Sequence, residues 1–303
     1  MGMTTLSAQG KPVLVIGGEG QLALSLAHLG GPRIHRVGRP VLDFDRLETL
    51  DAAVAEVAPC AVVNAAAWTA VDLAESEAEA AARANTAGPQ RLAELCAARG
   101  IPFIHVSTDY VFSGDKGSPY LETDPISPRT VYGRTKAEGE AAVLAACPQS
   151  IILRTSWVYS AYGRNFVRTM LNAGAKNPSL RVVGDQQGNP TSAEDLASAI
   201  LSILGTIEAG GWKEDYAGIY HACGTGDATW HDLAVAALQD AVAYGQAMPE
   251  VTAIRTEDWP TPAHRPADSR MNTDKLYRVF GVRLPQWRDS VRHVVQQLLA
   301  QPA

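Results

Sequence analysis

Between residues 13 and 157 the chain alternates between short apolar runs and longer segments whose apolar residues have helical spacing. The apolar runs suit strands that are buried on both faces of a sheet. Five such strands are expected, at residues 13–16, 34–38, 60–64, 101–108 and 150–157. Strands and helices that alternate along a chain form a parallel sheet covered by helices on both sides. The pattern therefore predicts an α/β fold with a Rossmann-type, doubly wound parallel sheet.

Four helices are expected between these strands, at residues 21–29, 47–57, 73–99 and 127–146. For the last helix, Ser127 is expected to be the N-cap and Pro128 to lie in the first turn.

After about residue 165 the alternation loosens and proline becomes more frequent. We expect residues 12–160 to form a dinucleotide-binding domain, to which some later segments return. Residues 161–303 are expected to form mainly a smaller, substrate-binding lobe at the C-terminal side. Residues 1–11 are polar and are expected to be a loose tail.

Charge and composition narrow the class of protein. The net charge of −6, with no basic block to offset it, argues against a nucleic-acid partner. No apolar run reaches the ~18 residues that a spanning helix needs, and the first residues do not resemble a signal peptide. The four cysteines are dispersed and are expected to be reduced thiols, not a disulfide or zinc framework; they are Cys60, Cys96, Cys147 and Cys223. These features predict a cytoplasmic globular protein with no membrane partner.

A glycine-rich turn follows the first predicted strand, where Gly17, Gly20 and Ala23 give the pattern G-x-x-G-x-x-A. Glycine lets backbone N–H groups approach a pyrophosphate, and the start of the next helix adds partial positive charge. Glycine after a strand is also an ordinary turn. At the first strand–helix junction of an alternating chain, however, the motif predicts a dinucleotide site.

The second predicted strand ends at Val37-Gly38-Arg39. A carboxylate at this place would bind ribose hydroxyls and favour NADH, whereas an arginine suits a 2′-phosphate. Arg39 therefore predicts NADPH as the cofactor, with NADH as the alternative. A solvated loop arginine is the simpler interpretation of the same residue.

Small and polar residues follow the third and fourth predicted strands. Residues 64–69 (NAAAWT) leave room for a flat cofactor at the ligand-binding edge of the sheet. Thr108 and Asp109 add a hydroxyl and a carboxylate at the same edge, although capping of a strand end is an alternative role for a single hydroxyl.

Tyr132 and Lys136 stand four residues apart, so on a helix they share one face. A phenol normally titrates near ~10, and a neighbouring ammonium favours the phenolate. We therefore expect Lys136 to lower the pKa of Tyr132 and to make the phenol usable in proton transfer. Such a pair also occurs by chance on many helices.

A strand-end hydroxyl followed by Tyr and Lys on the next helix resembles the short-chain dehydrogenase/reductase superfamily, and the glycine pattern resembles its extended branch. The similarity is closest to one family, the dTDP-4-dehydrorhamnose reductases. It covers about residues 13 to 297, and its segments read STDYVF, VYGRTKAEGE, RTSWVYS, GRNFVRTML, GDQQGNPT, WHDLA and PTPAHRPADSRMNT.

This resemblance implies reduction of the C4 ketone of dTDP-4-dehydro-L-rhamnose to dTDP-L-rhamnose, a precursor for polysaccharide biosynthesis. It implies that Tyr132 donates the proton to the sugar O4, assisted by Lys136, which would also bind the nicotinamide ribose. Thr108, Asp109 and Trp157 would contact the sugar. The expected cofactor-binding residues are Gly17, Gly20, Gln21, Leu22, Arg39, Asp43, Phe44, Ala67, Trp68, Thr69, Tyr132 and Lys136.

Two departures from the family pattern matter. Trp68 stands where His or Tyr is usual, so stacking around the cofactor is expected to differ. Some members form dimers bridged by Mg²⁺ through carboxylates, and Glu194 fits one such position. Gln296 and Gln297 stand where further acids would be needed, so we expect no metal site. A homodimer stays compatible with the family.

Three other functions remain open from the sequence. A nucleotide-sugar 4-epimerase would retain NAD, which Arg39 and the C-terminal segments disfavour. Another nucleotide-sugar ketoreductase, including one for a UDP-sugar, would use the same residues. A non-catalytic regulatory subunit of this fold would not need Thr108, Tyr132 and Lys136 together.

Overall fold

The computed structural model describes residues 10–300. Residues 1–9, and with them most of the expected N-terminal tail, lie outside the described residues, as do residues 301–303. Within the described part of the chain, no helix combines the length and the apolar character needed to cross a membrane.

The strands are β1 (Val13–Ile16), β2 (Ile34–Val37), β3 (Ala61–Asn64), β4 (Phe103–Thr108), β5 (Ser150–Thr155), β6 (Val158–Tyr159), β7 (Ser179–Val183), β8 (Gln187–Gly188), β9 (Thr191–Ser192), β10 (Gly218–His221), β11 (Ala228–Thr229) and β12 (Glu250–Ile254). The helices are α1 (Gln21–Gly30), α2 (Glu48–Val57), α3 (Val71–Ala74), α4 (Ala78–Ala82), α5 (Gly88–Ala97), α6 (Val131–Ala146), α7 (Phe166–Gly174), α8 (Ala193–Gly210), α9 (Trp230–Ala241), α10 (Asp274–Phe280) and α11 (Trp287–Leu299). A π-helical turn, Arg83–Ala87, joins α4 to α5.

Six parallel strands form the central sheet in the order β2-β1-β3-β4-β5-β10. The strand order reverses beside β1, and this opens a crevice at the carboxyl ends of β1 and β3, where doubly wound sheets bind ligands. All five predicted strands are present, with ends within two residues of the expected positions. The expected α/β fold with a doubly wound parallel sheet is confirmed.

Helices cover both faces of this sheet. One apolar core joins the sheet to α1 and α8 through residues such as Leu26 and Ile200. The opposite core joins it to α2, α5 and α6 through residues such as Leu92 and Val143. A third apolar cluster holds α7, α9 and α11 together. Because α8 packs on α1 and β10 pairs with β5, residues 193–221 return to the sheet domain.

The single helix expected at residues 73–99 is wrong, because the structure divides this stretch into α3, α4, the π-helical turn and α5. The π-helical turn packs tightly against α6, where a Cβ on Gly139 would lie 2.0 Å from the Asn85 carbonyl oxygen. The wider turn also lets the buried Asn85 side chain reach the 65–69 loop, where its Oδ1 accepts from the Trp68 N–H at 2.8 Å.

The expected start of α6 at Ser127 and Pro128 is also wrong. The helix begins at Val131, and the Thr130 hydroxyl caps it by accepting from the Gly133 N–H at 3.0 Å. Ser127 instead donates its backbone N–H to the Val111 carbonyl at 2.9 Å, which holds the loop before α6 against the turn that follows β4. A tertiary contact therefore outcompetes a good local helix start.

A buried ion pair fastens α6 to β5. Arg154 donates from Nε and Nη2 to the two carboxylate oxygens of Glu140, at 2.9 and 2.7 Å. The two side chains are 2% and 3% exposed, and the Arg154 guanidinium also lies over the Phe112 ring. Each side chain neutralises the charge of the other where water has little access. Removal of one partner therefore leaves a buried charge that nothing neutralises.

We predict that Glu140→Gln lowers the free energy of unfolding by about 3 kcal/mol, because Arg154 then stays charged without a carboxylate. Urea unfolding would measure the change. The matched control is Glu138→Gln on the same helix, where the pair with Arg134 is exposed (57% and 53%) and long at 3.9 Å. That change should stay within about 0.5 kcal/mol. Equal losses in the two variants would contradict the assignment.

Candidate active site

A cavity of about 1110 Å³ lies at the carboxyl ends of β1, β3, β4 and β5. It is larger than most small-molecule sites, so its volume suits a dinucleotide together with a second ligand. Every predicted site residue except Asp43 borders it: Gly17, Gly20, Gln21, Leu22, Arg39, Phe44, Ala67, Trp68, Thr69, Thr108, Asp109, Tyr132, Lys136 and Trp157.

The turn between β1 and α1 forms one end of the cavity. Gly18 has φ 50°, in the left-handed region that favours glycine. A Cβ on Gly38 would lie 2.5 Å from the Gly18 Cα, so the turn and the end of β2 can approach only as two glycines. The first N–H groups of α1 follow Gly20, which has no side chain to cap them. This arrangement fits a pyrophosphate at a helix N-terminus.

Two arginines border the cavity near the end of β2. Arg39 is 68% exposed and pairs with Asp43 at 3.1 Å and Asp45 at 3.3 Å. Asp43 therefore holds Arg39 but does not itself border the cavity. Arg36, which the sequence interpretation missed, donates to the Gly18 carbonyl and to Glu19. Its place on β2, two residues before Gly38, was the available signal.

The loop after β3 is held from below by side-chain amides. The Asn64 Oδ1 accepts from the Ala66 N–H at 3.1 Å, and Asn85 bonds both the N–H and the carbonyl of Trp68. Asn85 was missed, because it lies in the stretch that was expected to be regular helix. These bonds place Ala67, Trp68 and Thr69 along the cavity wall.

The end of β4 presents hydroxyls and a carboxyl group to the same cavity. The Thr108 hydroxyl donates to Asp109 Oδ1 at 2.9 Å. Burial raises the pKa of Asp109 to about 6, although hydrogen bonds with Ser269 and Thr108 oppose the shift. Within residues 10–300, the buried hydroxyls of Ser107 and Thr155 have no hydrogen-bond partner, which leaves them available to a bound molecule.

Tyr132 and Lys136 lie on the buried face of α6 and both border the cavity. Lys136 is 1% exposed; its Nζ donates to the Val106 carbonyl at 2.6 Å and lies 3.3 Å from His105 Nε2. Burial lowers the pKa of Lys136 to about 8, against an opposing effect of Glu140.

The expected lowering of the Tyr132 pKa is wrong for the protein alone. Burial raises the pKa of Tyr132, and only the nearby Thr108 hydroxyl acts in the other direction. Lys136 directs its Nζ at β4, to His105 and the Val106 carbonyl, so its amine does not offset the loss of hydration around the phenol.

Two stacked indoles form the far wall. The rings of Trp157 and Trp230 lie 3.7 Å apart and nearly parallel, at 9°. Trp157 has φ 49°, unusual for a residue with a side chain, and packs on Gly188, where a Cβ would lie 2.6 Å from the indole. Trp230 borders the cavity and was not predicted as a site residue; only the tertiary fold brings it beside Trp157.

Glu194 is the residue that fits a position for a bridging metal, and its neighbours include few acidic side chains. Glu194 Oε2 accepts from Gln297 Nε2 at 2.9 Å and lies 3.8 Å from His293 Nε2. Across residues 10–300, no group of three or more His, Cys, Asp or Glu side chains is placed to hold a metal ion.

The sheet and its cavity define a class of protein. The sheet is doubly wound, and its glycine turn lies where the strand order reverses. A helix with Tyr and Lys on its buried face lies beside a hydroxyl at a strand end. Together these features are the framework of short-chain dehydrogenases and reductases. The particular family follows from comparison with known proteins. A family model for the RmlD substrate binding domain matches residues 11–300. The chain belongs to this family, the dTDP-4-dehydrorhamnose reductases.

Individual relatives agree with this assignment. A dTDP-4-dehydrorhamnose reductase of Sinorhizobium fredii is 45% identical over 94% of this chain and 97% of its own length. The crystal structure of such a reductase from Clostridium acetobutylicum is similar with a TM-score of 0.85 and 34% identity, covering 95% of this chain and 99% of that one. A Bacillus anthracis dTDP-4-dehydrorhamnose reductase in complex with NADP has a TM-score of 0.84 and 29% identity, covering 94% and 99%.

We predict that Asp109→Asn changes how stability depends on pH. Asp109 has a folded-state pKa of about 6 against 3.8 for the ordinary group. Between these values the folded protein keeps a proton that the unfolded chain loses, so wild-type stability falls as pH rises through this window. The variant lacks this loss and should gain about 2–3 kcal/mol relative to wild type between pH 4 and 7.

Urea unfolding at several pH values would measure this difference. As a control, Asp115 has a carboxyl pKa held below its usual range by the Ser113 hydroxyl and Arg129. Wild type therefore loses the stability that Asp115 contributes as the pH falls below the ordinary pKa of aspartate, and Asp115→Asn does not. Relative to wild type, Asp115→Asn should gain stability as the pH falls, whereas Asp109→Asn should gain it as the pH rises. Parallel curves for wild type and Asp109→Asn would show that Asp109 titrates normally.

Proposed function

We propose that this protein reduces the C4 ketone of dTDP-4-dehydro-L-rhamnose to give dTDP-L-rhamnose. The observation that carries the proposal is the meeting of Thr108, Tyr132 and Lys136 on the wall of a cavity that also borders the glycine turn. Family membership supports the substrate class, because the Sinorhizobium fredii relative is a dTDP-4-dehydrorhamnose reductase. Reduced nicotinamide would supply the hydride that the ketone carbon accepts.

Tyr132 is the proposed proton donor to the sugar O4. Because burial raises its pKa, the phenol keeps its proton at neutral pH and is available as an acid. Negative charge grows on the ketone oxygen as the carbon is reduced, and a proton delivered there neutralises it. The Thr108 hydroxyl lies beside Tyr132, where it orients the oxygen and favours the phenolate that remains. Lys136, which borders the same cavity, is proposed to bind the nicotinamide ribose.

The sugar nucleotide is proposed to lie between the end of β4 and the two indoles. Asp109 and the unpartnered Ser107 and Thr155 hydroxyls offer polar contacts for sugar hydroxyls. The Trp157 face, held flat against Trp230, offers a rigid apolar surface for the ring. We propose that residues 161–303, apart from the segment that joins the sheet, supply most of the substrate lobe.

NADPH is the proposed cofactor, with NADH a weaker substitute. The glycine turn and the uncapped start of α1 suit the pyrophosphate, and Arg39 and Arg36 supply positive charge near the end of β2. The NADP complex of the Bacillus anthracis relative supports this choice. We propose no requirement for Mg²⁺, since Glu194 is paired with Gln297. A homodimer in the cytoplasm, without a bridging metal, is the proposed assembly.

A coupled assay tests the proposed function. dTDP-4-dehydro-6-deoxyglucose is supplied with a 3,5-epimerase, and oxidation of NADPH and NADH is compared with a chelator present throughout. Formation of dTDP-L-rhamnose, faster with NADPH, is the expected result. Tightly retained NAD and no net oxidation would instead indicate an epimerase. A partner that co-purifies in stoichiometric amount, with no turnover of any dTDP-ketosugar, would indicate a regulatory subunit.

We predict that Tyr132→Phe binds NADPH normally but loses turnover by on the order of 10²–10⁴-fold, because no other group delivers the proton. Cofactor fluorescence and the coupled assay would separate the two effects. Tyr110→Phe is a matched comparison, since its ring packs edge-on against Tyr132 at 5.5 Å while its hydroxyl faces Arg265. It should lose at most about tenfold. Near-normal reduction by Tyr132→Phe would exclude it as the donor.

We predict that Arg39→Ala raises the KM for NADPH about tenfold and leaves that for NADH unchanged. One charge-assisted contact to a 2′-phosphate is worth about 1.5 kcal/mol. Arg46→Ala is the control, because Arg46 lies in the same loop, bonds the Pro40 carbonyl and does not border the cavity. If Arg36→Ala raises the KM for NADPH and Arg39→Ala does not, Arg36 is the residue that contacts the 2′-phosphate.

A further inference from the structure

A line of hydrogen bonds runs below the cavity from the loop after β3 to Lys136. The Ala66 N–H donates to Asn64 Oδ1 at 3.1 Å, and Asn64 Nδ2 lies 3.0 Å from His105 Nδ1. His105 Nε2 then lies 3.3 Å from Lys136 Nζ. Asn64 and His105 are fully buried and do not border the cavity. Their partners at each end, Ala66 and Lys136, do border it.

The direction of these bonds is determined by their first member. A backbone N–H can only donate, so the oxygen of the Asn64 amide must face Ala66 and its NH₂ group must face His105. An NH₂ group also only donates, so His105 Nδ1 must carry no proton. Burial holds the pKa of His105 well below its usual value, so the ring is neutral and its one proton is on Nε2.

This tautomer presents an N–H to Lys136. An ammonium has three donors and no lone pair, so it cannot accept that N–H, whereas an uncharged amine can. The Val106 carbonyl, 2.6 Å from Nζ, takes one hydrogen of the amine and orients its lone pair. Burial of Lys136 acts in the same direction as this contact, because it too disfavours the charged form.

We propose that His105 is a positioning residue for Lys136: it donates its Nε2–H to the lysine nitrogen, aligns the side chain, and favours the uncharged amine over the ammonium. Asn64 and the Ala66 N–H set the polarity of this contact. The loop that borders the cofactor end of the cavity and the lysine at its centre are thereby linked through two buried side chains.

Other titratable groups surround the same lysine. Glu140 lies one turn further along α6 and favours the ammonium, but both of its oxygens are taken by Arg154 of β5. Tyr132, one turn before Lys136, and Asp109, after β4, border the same cavity. Neither of these contacts Lys136 Nζ as closely as His105 and the Val106 carbonyl do.

Nitrogen NMR of the full-length protein tests the tautomer directly. With ¹⁵N-labelled histidine and no cofactor, the His105 ring should show a protonated Nε2 and an unprotonated Nδ1, identified by its absence in His105→Leu. In Asn64→Asp a carboxylate accepts from both Ala66 and the ring, so the proton should move to Nδ1. A protonated Nδ1 in wild type, or an unchanged tautomer in Asn64→Asp, would overturn the proposal.

Kinetics provide a second readout, which rests on the proposed reductase function. The alkaline limb of kcat/KM reports the free enzyme, and we expect His105→Leu to shift it upward by about one pH unit, as the donor that disfavours the ammonium is lost. Misalignment of Lys136 should lower kcat/KM by on the order of 10²-fold. His105→Gln, whose amide N–H can still donate, should keep the limb near its wild-type position.

His231→Gln is the matched control, because His231 contacts the Val251 carbonyl and lies outside the cavity. An alkaline limb in His105→Leu that matches this control would overturn the proposal. If His105→Leu does not fold, the tautomer of wild type and of Asn64→Asp decides. If the protein fails to turn over any dTDP-ketosugar, the proposed function fails, while the same NMR result still supports or overturns the role of His105.

Discussion

The structure depends on a helix that buries polar side chains. The inner face of α6 carries Tyr132, Thr135, Lys136 and Glu140, all of which are nearly excluded from water. Burial of such groups is costly unless each has a partner. Asn85 bonds the Thr135 hydroxyl, the Val106 carbonyl accepts from Lys136, and Arg154 takes both oxygens of Glu140. These partners come from the π-helical turn, β4 and β5, so α6 fits in one position only, with the phenol and the amine at the cavity.

The carboxyl edge of the sheet brings together polar residues of the candidate site. Parallel strands end at one edge of the sheet: Thr108 and Thr155 are paired at the ends of β4 and β5, and Asn64 ends β3 opposite His105. The second half of the chain closes that edge: the Ser160 hydroxyl donates to Gln21 Oε1 at 2.8 Å, and the Trp157–Trp230 stack forms the opposite wall. The cavity is therefore shared between the sheet domain and elements that follow it, and its volume leaves room for a dinucleotide and a second ligand.

Particular residues show where prediction from sequence succeeded and where it stopped. The strands were found because apolar runs of this length have few alternatives, and the glycine turn because glycine favours φ 50° and allows the close contact with Gly38. The break near Asn85 and the start of α6 were missed, because each depends on a contact between segments distant in sequence: Asn85 with Trp68, and Ser127 with Val111. The pKa of Tyr132 was predicted in the wrong direction, because four-residue spacing says nothing about burial or about where Lys136 directs its amine.

The sequence by itself determined the fold class, the family and the residue types that meet at the sheet edge. Periodicity and short motifs involve residues that are close together in sequence, so they can be recognised from the sequence alone. Only the tertiary structure decided that Asp43 holds Arg39 without bordering the cavity, that Trp230 stacks on Trp157, and that His105 lies beneath Lys136. Hydrogen-bond direction, desolvation and ring stacking depend on distances between residues far apart in sequence. Those distances exist only once the sheet, α6 and the second lobe have packed together.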